Sequence, residues 1–96
     1  MRAFVFDPGK DRLNREKHGV GLELAADMVW DEAFIQADER KDYGEQRMIA
    51  IAPIGRRLYV VVYTDRGLQR RIISLRKANE REVRAYIAEI GHRAGH

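Results

Sequence analysis

Three β-strand-like segments lie between residues 46 and 77, and only two short turns separate them. The segments are QRMIAIAPI, RLYVVVYTD and LQRRIISLRK, with turns at Gly55 and Arg56 and at Arg66 and Gly67. The middle segment is dense in β-branched and aromatic residues, which is typical of strands. Turns this short join only antiparallel neighbours, because a parallel connection needs a dozen or more residues. The region therefore predicts an antiparallel meander.

The residues before the meander predict two more strands and two helices. AFVF at 3–6 and AFIQADER at 33–40 have strand character. Asp7 is a suitable N-cap before Pro8, so a helix should begin there and end at His18, before Gly19. Its face is mostly polar, and Leu13 is expected to be its main apolar contact with the rest of the protein. A second helix is expected over 22–30, because apolar residues recur there at helical spacing.

A last helix is expected after residue 79, where Asn79 and Glu82 have the spacing of a capping box. Gly91 should end this helix, which leaves 91–96 as a frayed tail. The length of 96 residues predicts one domain, 1–96. The fold class is α+β, with N-terminal helices packed on a curved antiparallel sheet of about four strands and a C-terminal helix after it. All of these helices are expected on one face of the sheet, which leaves the other face partly open.

Composition narrows the possible chemistry and location. The chain has no cysteine, which excludes disulfides and thiolate metal sites. We expect a cytoplasmic protein, because no secretory signal or membrane-length apolar run is visible. Residues 27–45 carry seven acidic and two basic side chains, whereas 46–84 carry ten basic and three acidic. Nine of those ten cations are arginine, whose planar fork matches phosphate. The basic region is either a solvated surface or a site for a polyanion.

The last predicted strand, 68–77, is unusual because neither of its faces is purely apolar. Regular alternation predicts two sets, with Arg70, Ile72, Ser74 and Arg76 on one face and Arg71, Ile73, Leu75 and Lys77 on the other. One interpretation is a charged edge strand that resists aggregation. The other is an anion site bordered by Arg76, Ser74 and Arg71. Since Arg71 and Ser74 have opposite parity, a shared site would require a bulge or strong twist between them.

Two further groups of residues have chemical potential. Glu45 and Arg47 have strand spacing and could face the same way, as a surface ion pair or as a base beside a cationic clamp. Lys17 and His18 end the first helix, where the helix dipole favours cations. Histidine is also the usual acid or base near neutral pH.

Several other classes of site lack their sequence patterns. No phosphate loop or dinucleotide fingerprint is present. His18, His92 and His96 do not have metal-ligand spacing. Ser74 is the only serine and has no nucleophile elbow around it.

Three strings, taken in order, resemble the BrnT family of bacterial type II toxins over about residues 4–87. They comprise Asp7, Pro8, Lys10, Asn14, Lys17, His18, Gly19 and Val20, then Gly44, Glu45 and Arg47, and then Arg71, Ile72, Ile73, Ser74 and Arg76. The departures are mild: the first strand reads Phe4-Val5-Phe6 where an aromatic pair is usual, and Leu75 stands where a small residue is commoner.

The resemblance implies a RelE-like fold and an endoribonuclease that inhibits translation. We expect no cofactor or metal, because the residue patterns for such sites are missing. It also implies a BrnA-like antitoxin with a ribbon-helix-helix DNA-binding part, whose complex with the toxin represses their operon.

Chemical capacity then suggests a role for each candidate residue in cleavage by the RNA 2′-hydroxyl. Arg47, Arg71 and Arg76 would bind the phosphate and its transition state, and Ser74 would position a phosphate oxygen. Glu45 or His18 would be the base, and His18 or Lys17 the acid. Two alternatives stay open: a nucleic-acid-binding module without catalysis, and a subunit that only binds an acidic partner.

Overall fold

The computed structural model describes residues 2–94 and has a five-stranded sheet at its centre. The strands are β1 (Ala3–Val5), β2 (Phe34–Ala37), β3 (Met48–Ile54), β4 (Arg57–Arg66) and β5 (Gln69–Lys77), in the order β1-β5-β4-β3-β2. The predicted meander β3-β4-β5 and the α+β class are confirmed. The sheet has five strands, not about four, because the short predicted strand at the N-terminus also joins it as β1. The expectation of a purely antiparallel sheet is wrong, since β1 pairs parallel to β5. The second turn lies at Gly67 and Leu68, one residue later than predicted.

Helix α1 (Pro8–His18) has the predicted boundaries, because the signals that set them are local. The Asp7 carboxylate accepts a hydrogen bond from the Lys10 N–H at 3.0 Å. Gly19 takes φ 76°, a conformation that glycine adopts at little cost. The expectation for Leu13 is wrong, since it is 62% exposed. The buried residue of this helix is Asn14.

Asn14 takes the place of a neighbouring strand at the free edge of β5. Its side-chain amide donates to the Leu75 carbonyl oxygen at 2.8 Å and accepts from the Leu75 N–H at 3.0 Å. It also donates to the Val20 carbonyl oxygen at 2.9 Å. β1 pairs only with residues 69–71, so Asn14 satisfies part of the edge that β1 leaves open. This contact fixes the C-terminal half of α1 against β5.

The predicted second helix, 22–30, is wrong in type and extent. The segment forms a 3₁₀ helix at Leu22–Asp27 and a second one at Trp30–Glu32. Met28 between them has an extended conformation, φ −67° and ψ 140°. The Val29 N–H donates to the Pro53 carbonyl oxygen at 2.9 Å, at the end of β3. This tertiary bond draws the backbone away from a continuous helix.

Helices pack on both faces of the sheet, not on one face as predicted. On the first face, Leu22 and Ala25 pack against Val61, Ile72 and Leu75, and all five side chains are fully buried. On the opposite face, Tyr86 of α2 (Glu80–Ala94) packs against Ile51 and Val60. The second face is therefore only partly covered, and the uncovered part lies over β4 and β5.

Helix α2 begins with the predicted capping box. The Asn79 N–H donates to Glu82 Oε1, and the Glu82 N–H donates to Asn79 Oδ1, both at 2.8 Å. The predicted end at Gly91 is wrong, because the helix continues to Ala94. The part of the predicted tail at 95–96, including His96, lies outside the described residues.

Candidate active site

A β-bulge in β5 sets the arrangement of the basic side chains. Val62 of β4 pairs with Ser74 and Tyr63 pairs with Ile72, so Ile73 is the extra residue without a partner. The alternation of side chains restarts after the bulge. As a result Ile72, just before it, and Leu75, just after it, both face the core with 0% exposure. The faces predicted from regular alternation are therefore wrong for the residues after Ile73.

The bulge gives Arg71, Ser74 and Arg76 a common face, opposite to the core of Ile72 and Leu75. Their partners across the ladder are Thr64, Val62 and Val60, which alternate along β4 and so share that face. The bulge that a shared site required is present, although no local sequence signal marks it.

A cavity of 370 Å³ opens on this face, and we call it the His18 cavity. Its lining consists of Lys17, His18, Arg40, Ile49, Val60, Val62, Ser74, Arg76 and Glu82. The floor is apolar and comes from β3 and β4, whereas the walls carry most of the polar groups. A shallower cavity of 200 Å³ shares Lys17, His18 and Ser74 and extends along α1 to Lys10. Together they form a groove between α1 and the sheet.

His18 enters this cavity as a neutral imidazole at pH 7. Burial lowers the pKa of His18, and the positive charges of Lys17 and Arg76 lower it further. The ordinary histidine pKa is near 6.5, so a lowered value leaves the ring unprotonated at neutral pH. A neutral ring can accept a proton. The His18 ring therefore does not carry the positive charge that would stabilise the C-terminal end of helix α1.

Arg76 is held in the cavity by a residue that sequence analysis assigned only to a helix cap. Arg76 Nη1 and Nη2 donate to the two Glu82 carboxylate oxygens at 2.7 and 2.8 Å. These bonds lower the pKa of Glu82, so the pair is ionised at neutral pH. The pairing joins β5 to the first turn of α2, and nothing in the local sequence indicates a contact between these two side chains.

Arg40 is the second cavity residue that sequence analysis missed. Its Nε and Nη2 donate to the Asp38 carboxylate, both at 2.8 Å, and the Asp38 side chain has 0% exposure. Hydrogen bonds from Arg40 are the main cause that brings the pKa of Asp38 to about 2. Asp38 and Arg40 were predicted as the end of a strand. They instead follow β2 in an irregular segment with a bend at Arg40, and this segment carries Arg40 to the cavity.

The other three candidate residues, Glu45, Arg47 and Arg71, lie beside the cavity and not in its lining; with Arg66 we call them the Glu45 cluster. The Glu45 carboxylate accepts a hydrogen bond from Arg66 and lies 3.8 Å from Arg47 Nε. The Arg66 hydrogen bond is the largest cause that lowers the pKa of Glu45, and the charges of Arg47 and Arg71 add to it. Glu45 is therefore a fully ionised, weakly basic carboxylate.

Arg47 itself is held by an aromatic ring. Its guanidinium carbon lies 4.0 Å from the centroid of the Tyr43 ring, a cation–π distance. Its Nε is buried and has no hydrogen-bond partner within residues 2–94. Arg47 continues the parity of Ile49 and Ile51 and so lies on the face of the His18 cavity.

The two groups are neighbours on one face of the sheet. Arg71 pairs with Thr64, which is the next same-face position along β4 after the Val62 partner of Ser74. The structure thus brings Lys17, His18, Ser74 and Arg76 together in one cavity, and Glu45, Arg47 and Arg71 together in the adjacent cluster. The Glu45–Arg47 pair has the orientation that their spacing predicts.

Two negative findings apply to the described part of the chain. Within residues 2–94, no group of three or more histidine, cysteine, aspartate and glutamate side chains is placed to hold a metal ion. In the same range, neither helix combines the length and apolar character that a membrane crossing needs.

Comparison with known proteins identifies the family. A family model described as the ribonuclease toxin BrnT of a type II toxin–antitoxin system matches residues 6–82. The chain belongs to the BrnT family. It is therefore a member of a family of ribonuclease toxins from type II systems, and this implies an RNA substrate and an antitoxin partner.

The fold comparison agrees with the family assignment. The crystal structure of the Brucella abortus BrnT ribonuclease toxin superposes with a TM-score of 0.65 at 22% sequence identity. The match covers 83% of this chain and 100% of that one. At this identity the likeness supports a common fold. A comparison with curated proteins finds no match. The BrnT match spans both residue groups of the candidate site, including Arg40 and Glu82.

Proposed function

We propose that this BrnT-family chain is a metal-independent endoribonuclease that cleaves RNA through the 2′-hydroxyl and thereby inhibits translation in the cytoplasm. All 96 residues would act as one toxin domain with a RelE-like fold. The observation that carries the proposal is the His18 cavity, in which a neutral imidazole, an ammonium group, a hydroxyl and a guanidinium line one space. These groups can accept a proton, donate a proton and bind a phosphate, which are the three tasks in RNA cleavage by the 2′-hydroxyl.

RNA supplies its own nucleophile, so the protein must remove one proton, donate another and stabilise the phosphate. We assign proton removal from the 2′-hydroxyl to His18, because its lowered pKa keeps it neutral at pH 7. Glu45 is the weaker candidate for the base. The ordinary pKa of a glutamate is already below that of a histidine, and the pKa of Glu45 is lowered further, so its carboxylate has little affinity for a proton. Lys17, which lines the same cavity, would protonate the leaving 5′-oxygen.

Phosphate binding falls to the arginines, because a guanidinium stays protonated and cannot transfer a proton at neutral pH. Arg76 and Ser74 line the cavity and would contact the scissile phosphate, with Arg71 next along β5. Arg47 would contact the phosphate or its neighbour from the Glu45 cluster. The bulge supports this assignment, since it gives Arg71, Ser74 and Arg76 one face.

For the partner, we propose a BrnA-like antitoxin with a ribbon-helix-helix DNA-binding part, and a complex that binds its own operator. One observation favours the alternative of a non-catalytic binding module. Arg40, Arg66 and Arg76 are each already paired with a carboxylate of the chain. These pairs could serve the fold alone, so catalysis requires a direct test.

The test is cleavage of a defined RNA by the purified chain in EDTA, with analysis of the new ends. We expect upstream fragments that end in a 2′,3′-cyclic phosphate, downstream fragments that begin with a 5′-hydroxyl, and undiminished cleavage in EDTA. Arg71→Ala should reduce cleavage by about 10²–10³-fold, the usual effect of one lost transition-state donor. Arg56→Ala, in the exposed β3–β4 turn, is the matched control and should keep the wild-type rate. RNA binding without any cleaved ends would favour the non-catalytic alternative.

A further inference from the structure

A third cavity lies on the opposite face of the sheet from the His18 cavity. It has a volume of 320 Å³ and is lined by Arg2, Phe4, Ala26, Trp30 and Arg70; we call it the Trp30 cavity. Arg70 and Arg71 are consecutive in β5 and therefore point to opposite faces. A molecule in the Trp30 cavity cannot be the phosphodiester held at Arg71.

The cavity is built on an aromatic stack. The ring centroids of Phe4 and Trp30 are 5.5 Å apart, and Trp30 meets the Tyr63 ring edge-on at 5.3 Å. The Arg70 guanidinium carbon lies 4.6 Å from the Trp30 ring. The Trp30 indole N–H donates to the Ala25 carbonyl oxygen at 2.9 Å, so its polar atom is already satisfied. What the stack presents to the cavity is therefore apolar surface.

The charges at the rim indicate what kind of molecule fits. Asp65 accepts hydrogen bonds from Arg70 at 2.8 and 3.0 Å and lies 3.5 Å from Arg2. One carboxylate thus serves two arginines, which leaves a single positive charge at the rim. Arg2 is the more available of the two, since its side chain is 46% exposed and the Arg70 side chain only 17%.

A mostly apolar cavity with one surplus cation suits a polypeptide better than a polyanionic RNA. Trp, Tyr and Arg are also the residue types that dominate binding energy at protein interfaces. A volume of 320 Å³ admits one large apolar side chain, and Arg2 can pair with a carboxylate beside it. The exposed Phe4, at 37%, and Leu68, at 82%, extend apolar surface along the β1 edge.

We propose that the Trp30 cavity is a docking site for the antitoxin, which inserts an apolar side chain there and pairs a neighbouring carboxylate with Arg2. This rests on the proposed function for the presence of an antitoxin. The site is separate from the His18 cavity, so the antitoxin is anchored through a surface that catalysis does not use. Binding at the two faces can then be altered independently.

The experiment blocks the cavity without disturbing the fold. Ala26 is exposed and lines the cavity, so Ala26→Phe fills it from the open side. Asp27→Phe is the matched control, because it adds the same ring at the next exposed position, outside the lining. Affinity for the antitoxin encoded beside the toxin gene is measured by calorimetry, and RNA cleavage is measured in parallel.

We expect Ala26→Phe to weaken antitoxin binding at least tenfold and to leave cleavage unchanged, with Asp27→Phe affecting neither. Trp30 is the only tryptophan of the chain, so 5-fluorotryptophan labelling gives a second readout on the unaltered sequence. Its fluorine resonance should shift when the antitoxin is added. Unchanged affinity together with an unshifted resonance would overturn the proposal.

A resonance that shifts with a non-cleavable RNA and not with the antitoxin would assign the cavity to nucleic acid and equally overturn the proposal. The antitoxin titration does not depend on catalysis. Absence of RNA cleavage in the unaltered protein would therefore count against the proposed function and leave the docking result readable.

Discussion

At the scale of the residue, the protonation state of His18 governs the proposed reaction. Only the neutral ring can take the 2′-hydroxyl proton, so cleavage should rise with pH through the lowered pKa of His18. His18→Gln should cut the single-turnover rate by about 10²–10⁴-fold and remove this acid limb from the pH profile. A His18→Gln enzyme that keeps the limb would exclude His18 as the base.

The Arg76–Glu82 pair gives a second prediction at this scale. Glu82→Gln keeps an amide oxygen for the Asn79 N–H but removes the charge that holds Arg76. The folded-state pKa of Glu82 is lowered, so its contribution is present above the ordinary glutamate pKa and is lost as pH falls through the lowered one. We expect a loss of about 1 kcal/mol in the free energy of unfolding at pH 7.

Urea unfolding at pH 7 and at pH 3 measures this difference, which should shrink at the lower pH. The variant should also cleave RNA more slowly, because Arg76 is no longer fixed in the cavity. Glu80→Gln is the matched control: Glu80 pairs with Arg84 in the same helix, and its side chain is 87% exposed. Equal losses for the two variants would show that the Arg76 contact adds nothing to stability.

At the scale of the element, α1 depends on Asn14 for its position against β5. Asn14→Ala removes three hydrogen bonds, two of them to the Leu75 backbone, and should lower the free energy of unfolding by about 2–3 kcal/mol. Leu13→Ala, at an exposed neighbouring position, should change it by less than about 0.5 kcal/mol. Chemical denaturation compares the two, and a larger loss for Leu13→Ala would contradict this account of the helix.

Local signals explain which elements were predictable from the sequence. Asp7, Gly19 and the Asn79–Glu82 box act within a few residues, and the helix starts and the end of α1 match them. The 3₁₀ segments were not predictable, because the Val29–Pro53 bond that interrupts the helix joins residues far apart in sequence. The bulge at Ile73 is likewise visible only in the pairing with β4.

The same distinction applies to the site. Residue type and spacing indicated Lys17, His18, Glu45, Arg47, Arg71, Ser74 and Arg76 as candidates. Sequence could not indicate that Glu82 and Arg40 complete the cavity, because tertiary folding alone brings β5, α2 and the turn after β2 together. Nor could it divide the candidates into a cavity and an adjacent cluster.

At the scale of the whole molecule, the sheet separates two kinds of surface. The face with the His18 cavity and the Glu45 cluster carries the phosphate-binding candidates, and the other face carries the Trp30 cavity. RNA affinity should therefore fall with salt, with a slope of about 0.7 per phosphate contact for a single strand. Arg71→Ala should reduce the slope by about that amount, whereas Arg56→Ala should leave it unchanged. Titrations at several salt concentrations measure both slopes, and equal slopes would remove Arg71 from the RNA contact.

The central claim is that Arg71, Ser74 and Arg76 converge with His18 on one phosphodiester. A crystal structure with a fully 2′-O-methylated RNA, whose nucleophile is blocked, tests it most directly. We predict a phosphate within hydrogen-bonding distance of Arg76 and Ser74, close to Arg71, with the adjacent 2′-oxygen facing His18. RNA bound on the opposite face of the sheet, or with no phosphate in the His18 cavity, would contradict the claim.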